Sequence, residues 1–274
     1  MDTDAYLDRL GLDPARVRSG GAEGDGGPAH ETVALLQRAH VTSVPFETLS
    51  VTGDPYGPYE GEAVDVDPAR AVEKLTRRDR GGWCFELNGA FTHLLDALGA
   101  DPTPLAARML GEDGEATPPA NYRIVLLDLD GPHVVDVGMG SPMLRDPLPL
   151  DGTPVTAVTG HTWRIVASGR PDADYLTQYR PPDADEWTDR YVFRTTPRES
   201  AYFAPTAEFL ATAPESPFTD GPVAVRGTED GHLVLGADSF TRWRRGERVE
   251  QRTVDPDDWR HLLTSRFGIE LPRD

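Results

Sequence analysis

Residues 80–88 read Arg80-Gly81-Gly82-Trp83-Cys84-Phe85-Glu86-Leu87-Asn88, RGGWCFELN, and place the only cysteine of the chain where a helical pattern begins. Gly81 and Gly82 permit a tight turn and extend a helix poorly, whereas Phe85, Leu87, Phe91, Leu94, Leu95 and Leu98 recur with mostly helical spacing up to Gly99. Cys84 is therefore predicted in the first turn of a helix. A thiol there faces unpaired backbone N–H groups and the positive end of the helix dipole, both of which favour the nucleophilic thiolate. A free cysteine is otherwise a small buried hydrophobe, and the glycine turn is what points to chemistry instead.

The chain has 274 residues, 38% of them hydrophobic, enough for a substantial core and for two or three lobes. One cysteine excludes an internal disulfide, a CxxC pair and a multi-thiolate zinc site, so the thiol works alone or with non-cysteine partners. No apolar run approaches the roughly 20 residues of a membrane span, and MDTDAYLDRL lacks the basic and apolar parts of a signal peptide. A cytoplasmic protein is expected. A formal net charge of -19 argues against nucleic acid or an anionic membrane as partner. Lys74 is the only lysine, and the acids are spread through every segment, a composition like that of proteins from high-salt cytoplasm.

Along the chain, Tyr6, Leu7 and Leu10 predict a short first helix, and Ser19 to Pro28 reads as a glycine-rich surface loop. A second helix starts at His30 and ends in HVTSVPFETL, where Pro45 makes the preceding residue extended and leaves Phe46 and Glu47 just beyond the helix end. Asp67-Pro68 is an N-cap and first-position pair for a helix that runs into the RRDRGG turn. Beyond Gly99 the period changes. Tyr122–Leu129 and His133–Val137 read as strands joined at Asp130-Gly131, and segments from His161, Asp174 and Glu186 continue an antiparallel pattern. After Pro197 come a short helix or coil at Phe203–Leu210, four short strands and a capped helix in DPDDWRHLLTSRFGI. The pattern predicts an α+β protein with a helical first lobe and a strand-rich middle lobe, sandwich or barrel.

A thiol of ordinary pKa is only a few per cent ionised at neutral pH, so cysteine transferases and hydrolases pair it with a base. The seven histidines offer no candidate by motif. Asp136, at the end of a hydrophobic strand and followed by Val137-Gly138-Met139-Gly140, is the best carboxylate, placed where burial demands a partner and glycines permit close ligand approach.

The stretches HVTSVPFE, RGGWCFELN, PPANYRIVLL, VVDVGMG and LLTSRFGI resemble, in order and over nearly the whole chain, the successive signatures of the arylamine N-acetyltransferase family. The resemblance implies a papain-like cysteine transferase fold: a helical lobe over 1–99, an antiparallel β-barrel over 100–200 and a C-terminal α/β lid over 201–274. It implies acetyl-CoA as co-substrate, no metal, an acetyl-cysteine intermediate and a small aromatic amine or hydrazine as acceptor. The family's Cys-His-Asp triad carries over onto Cys84 and Asp136. At the histidine's position, before Arg123-Ile124-Val125-Leu126, stands Tyr122. Thr48 and Met139 also depart from the family pattern, which commonly has asparagine and phenylalanine there.

Tyr122 changes the expected chemistry. A phenol of pKa near 10 is a poor base for a thiol, but it can donate a hydrogen bond to a thiolate already favoured by the helix terminus or be oriented by Asp136, one contact at a time. Reactivity should then rise with pH through the thiol's own pKa. Phe46, Met139 and Phe203 are expected to line the acceptor cleft, and Gly138 and Gly140 to let the donor approach. Arg80, Glu86 and Asn88 are read as supports of the cysteine turn. Two other readings are a thioester-dependent amide synthase and a ligand-binding homologue whose triad is disabled.

Overall fold

The predicted periodicities become elements at nearly the expected places. The computed structural model describes residues 2–19, 27–111 and 113–272. Positions 20–26, the middle of the predicted glycine-rich loop, lie outside the described residues. The first part of the chain forms α1 (Thr3–Arg9), α2 (Pro14–Ser19), α3 (His30–Ser43), β1 (Phe46–Glu47), α4 (Leu49–Thr52), α5 (Pro68–Arg77) and α6 (Cys84–Ala97). Asp67 caps α5 as expected, its carboxylate accepting from the backbone N–H of Ala69 at 2.8 Å and of Arg70 at 3.2 Å.

The middle of the chain supplies β2 (Thr103–Met109), β3 (Tyr122–Asp128), β4 (Pro132–Val135), β5 (Leu148–Pro149), β6 (Val155–Thr156), β7 (Thr162–Ala167), β8 (Tyr175–Arg180) and β9 (Thr188–Pro197). They pair antiparallel in the order β5-β4-β3-β2-β9-β8-β7-β6, and β5 returns against β7 so that the sheet is nearly closed, like a barrel. The β3–β4 hairpin turns where Asp130 and Gly131 take φ of 60° and 118°, the left-handed region that these residue types tolerate.

A 3-10 turn (Ser200–Phe203) leads into α7 (Ala204–Thr212), and the chain ends with β10 (Ala224–Thr228), β11 (Gly231–Leu235), β12 (Ser239–Arg244), β13 (Glu247–Thr253) and α8 (Pro256–Phe267). These last four strands form a second antiparallel sheet that β1 joins at its edge, Phe46 opposite Val225 and Glu47 opposite Ala224. The segment after Pro45 is thus tied to a strand almost 180 residues away, at Val225. That pairing has no local sequence signal.

Burial explains how the sheets position the cysteine. Leu87, Ala90, Phe91, Leu94 and Leu95 of α6 pack in a helical core with α1, α3, α5 and one face of β3 and β4. Trp83, Cys84 and Phe85 instead belong to the barrel's core, with Tyr122, Ile124, Met139, Trp163, Tyr191 and Phe193. One helix therefore spans two cores, and its first turn enters the barrel side. A third core joins α8 to β10–β12. Among the described residues no helix is long and apolar enough to cross a membrane.

Candidate active site

The turn before Cys84 is held by close backbone approach. A Cβ on Gly81 would lie 2.0 Å from the Pro45 carbonyl oxygen, and one on Gly82 would lie 2.7 Å from Glu86 Oε2. Neither glycine needs positive φ; both are needed because nothing larger than hydrogen fits. Glu86 reaches back to accept from the Trp83 N–H at 3.3 Å, which satisfies one free donor of the helix start.

Beneath this turn lies a buried ion cluster. Lys74 Nζ donates to Glu86 Oε1 and Oε2 at 2.7 and 2.9 Å and to Ser50 Oγ at 2.8 Å. Arg80 donates to Glu47 Oε1 through Nε at 3.0 Å and Nη2 at 2.8 Å, and to the Tyr59 hydroxyl at 3.0 Å. Glu47 also accepts from the Leu49 N–H at 2.7 Å. Burial pushes the Glu47 carboxyl up, but Lys74 and Arg80 outweigh it and hold the group below its ordinary value. The single lysine of the chain is only 3% exposed and ties the cysteine helix to α5. Arg80 and Glu86 thus support the turn as a charge network, of which Lys74, Glu47 and Ser50 were not foreseen from sequence.

Cys84 is the first residue of α6 and 3% exposed. Its S–H points to the Asn121 carbonyl at 3.8 Å, while the backbone N–H groups of Arg123 and Phe85 face the sulfur. Burial drives the thiol up to about 12, and the negative charge of Asp136 adds to that rise. The N–H groups and the Arg123 charge oppose it without overcoming it. This corrects the sequence expectation that the helix start alone would favour the thiolate, because desolvation of a fully buried anion exceeds what two backbone dipoles return.

Tyr122 opens β3 and Asp136 follows β4, so the antiparallel pairing of these strands sets them together beside α6. The Tyr122 hydroxyl donates to Asp136, 2.9 Å from Oδ1 and 3.0 Å from Oδ2. Asp136 Oδ1 also accepts from Asn88 Nδ2 at 2.9 Å and from the Gly138 N–H at 2.9 Å. Asn88 ties the turn down further, donating to the Arg123 carbonyl at 2.6 Å and accepting from the Val137 N–H at 2.8 Å. Burial holds the Asp136 carboxyl above its ordinary value despite these donors. Burial and the Asp136 charge together hold the Tyr122 phenol well above its own. Of the two contacts expected for the phenol, with the thiolate and with Asp136, its proton takes the one to Asp136, which leaves its oxygen free to accept.

Among the described residues no histidine hydrogen-bonds to Cys84, Tyr122 or Asp136. His40 is buried against the Tyr6 hydroxyl at 2.9 Å, His133 bonds the Gly131 carbonyl at 2.8 Å, and His232 pairs with Ser141 Oγ at 2.8 Å. No group of three or more His, Cys, Asp or Glu side chains that could hold a metal occurs among the described residues.

The other expected residues surround this centre in different ways. A Cβ on Gly138 would lie 2.6 Å from Asn88 Nδ2 and 2.7 Å from Cys84 Cα, so the space it leaves is filled by the cysteine turn itself and not by a donor. Gly140 lies against the ring of half-buried Phe46, at 3.5 Å from a built Cβ. Met139 is buried, and its sulfur accepts from Arg190 Nε at 3.4 Å. Phe203 is completely buried against Phe85, ring centroids 5.8 Å apart, and is a core residue before it is a cleft wall. Sequence reading missed Arg190 and Tyr191 of β9; Tyr191 packs its ring 5.5 Å from that of Tyr122. Alternation in EWTDRYVFR could have put Tyr191 and Phe193 on one inward face.

A thiol at a helix start, facing a carboxylate fixed on an adjoining sheet, belongs to the class of thiol-centred acyl-transfer proteins. Residues 30–274 match the model of the N-acetyltransferase family. The chain belongs to the arylamine N-acetyltransferase family. It is 31% identical over 277 residues to the arylamine N-acetyltransferase of Mycolicibacterium smegmatis, covering 99% of this chain and 93% of that one. It superposes on a Bacillus cereus arylamine N-acetyltransferase with a TM-score of 0.84, covering 99% of this chain and 100% of that one; at 24% identity this likeness speaks for the fold alone. The Mycobacterium marinum arylamine N-acetyltransferase, solved in complex with CoA, gives a TM-score of 0.81 at 27% identity, covering 98% and 93%.

Proposed function

We propose that this protein transfers an acetyl group from acetyl-CoA to a small aromatic amine or hydrazine through an acetyl-cysteine on Cys84. Membership of the family and the likeness to a relative solved with CoA support the reaction class. The observation that carries the mechanism is the Tyr122 hydroxyl set 2.9 and 3.0 Å from the two oxygens of Asp136. Asp136 is the proton acceptor and Tyr122 the relay. As the sulfur attacks the thioester carbonyl, the thiol proton passes to the Tyr122 oxygen while the phenol proton passes to Asp136. CoA leaves as a thiolate and takes that proton back over the same path. The amine nitrogen then attacks the acetyl-cysteine, the carbon–sulfur bond breaks, and the nitrogen's proton restores the thiol.

A relay of this kind moves a proton from a thiol raised to about 12 towards a carboxylate, which is uphill, so turnover is slow at neutral pH; as pH rises, loss of the thiol proton to solvent adds a second route and the rate climbs. Phe46 and Met139, next to Gly140 and Arg190, supply the apolar contacts for the acceptor ring. The acidic surface with no exposed lysine suits a protein of the cytoplasm at high salt.

Mass spectrometry of the intact protein after incubation with acetyl-CoA tests the reading. One acetyl group on Cys84, removed by an arylamine, is the expected result, with Tyr122→Phe slowing acetylation about tenfold to a hundredfold. No adduct despite measured CoA binding would leave a ligand-binding homologue instead.

A further inference from the structure

β9 changes register where it passes the candidate site. Tyr191 lies opposite Thr177 of β8 and Asp189 opposite the next residue, Gln178, so Arg190 is the extra residue of a β-bulge. A bulge breaks the strict alternation of a strand and re-aims a side chain. Tyr191 is fully buried in the barrel core, and Arg190 beside it reaches the loop after Asp136. Its Nε donates to the Met139 sulfur at 3.4 Å and its Nη2 to the Ser141 carbonyl at 3.2 Å.

The third nitrogen of this guanidinium is spare. Nη1 forms no hydrogen bond with the described residues and is not sealed from solvent. Neighbouring carboxylates are occupied elsewhere: Asp189 accepts from Gln178 Nε2 at 2.7 Å, and Asp136 accepts from Tyr122, Asn88 and the Gly138 N–H. A half-buried cation thus sits against Met139 and Ser141 with no carboxylate paired to it among the described residues, in a chain of net charge -19. On the same loop the ring of Phe46 lies against Gly140, so apolar surface and an unpaired charge occur within one short stretch.

We propose that Arg190 makes the acceptor cleft selective for an aromatic amine that carries a carboxylate on its ring, the guanidinium taking the carboxylate while Met139 and Phe46 hold the ring. The inference rests on the transferase reading and adds the charge of the acceptor. A guanidinium presents a planar fork of donors that fits a carboxylate, and such charge-assisted bonds are stronger than neutral ones. A neutral amine would leave the cation unpaired, and a site built to bond a substrate group discriminates against the analogue that lacks it.

The test compares turnover of 4-aminobenzoate with that of its uncharged methyl ester, as a ratio of kcat/KM. The two compounds also differ in the reactivity of the amine, but that difference is common to every variant. Arg190→Gln should lower the ratio about tenfold to hundredfold, the loss of one charge-assisted hydrogen bond, and Arg190→Lys should keep most of it. A residue that only held the loop would slow both acceptors alike, so an unchanged ratio in Arg190→Gln overturns the proposal. An unchanged ratio together with a higher acetyl-CoA requirement for acetylation of Cys84 also overturns it, and assigns the guanidinium to a phosphate of the donor. A second measurement uses the wild-type protein without acetyl-CoA and serves where Arg190→Gln does not fold. With a single cysteine, protection from iodoacetamide reports on Cys84 alone. 4-Aminobenzoate should protect at about tenfold lower concentration than the ester, and equal protection overturns the proposal. Failure of the transferase reading would show separately, as no acetyl adduct and no turnover with the difference in protection intact.

Discussion

Two buried polar clusters meet at the first turn of α6 and differ in how their charges balance. On one side Lys74, Arg80, Glu47 and Glu86 form a cluster with two cations and two carboxylates, cross-linked by Ser50, and at its rim Glu62, 3.6 Å from Arg80, is matched by Arg78. On the other side Cys84, Tyr122 and Asp136 share a single carboxylate, answered by Arg190, which acts on Asp136, and by Arg123, which acts on Cys84. Both sides are dry, so in both an uncompensated charge is expensive. The balanced side fixes the turn; the unbalanced side, with one carboxylate and two arginines, has room for the negative charge that the proposed reaction would place on Cys84.

Breaking the balanced side should have the largest effect. Lys74→Met leaves Glu86 and Glu47 with one cation between them and is expected to cost about 3–5 kcal/mol of stability, read from urea unfolding. An unchanged midpoint would show that the cluster does not hold the turn. Gly138→Ala, which drives a methyl against Asn88 and the Cys84 backbone, should cost about 1–3 kcal/mol, whereas Gly140→Ala, facing Phe46 at ordinary contact distance, should lie within about 0.5 kcal/mol of wild type. Equal effects at the two glycines would contradict the close fit of the loop on the cysteine turn. Tyr122→His sharpens the contrast from the reactive side. An imidazole bonded to Asp136 adds the missing base, and Cys84 alkylation at neutral pH should rise about tenfold. A rate equal to wild type would show that the residue at this position does not govern the thiol.

The elements that carry local signals were legible. The glycine turn and apolar spacing gave α6 its start at Cys84, Asp67-Pro68 capped α5, and Asp130-Gly131 turned the β3–β4 hairpin. Short elements such as α2, α4, β5 and β6 were not foreseen, nor was β2, whose TPLAARM lacks clear alternation. The pairing of β1 with β10 depends on a partner far along the chain. At the site, sequence located Cys84, Tyr122 and Asp136 but misjudged the thiol, because a helix start is visible in sequence while the degree of desolvation is set by Trp83, Phe85, Met139 and the barrel core. Arg123 and Arg190 escaped notice for a related reason: whether an arginine is paired is decided by what folding brings beside it.

Cys84 is a buried neutral thiol, and among the described residues no imidazole bonds to it to ionise it. Since the folded thiol keeps its proton to higher pH than an unfolded one, from an ordinary 9.0 up to about 12, stability owed to it is present below about pH 9 and is lost as pH rises through that window. Iodoacetamide alkylation of the wild-type protein across pH 6 to 10 measures the same property most directly. The rate should climb about tenfold per pH unit with no plateau in that range. A plateau reached near neutral pH, as a thiolate–imidazolium pair would give, contradicts it.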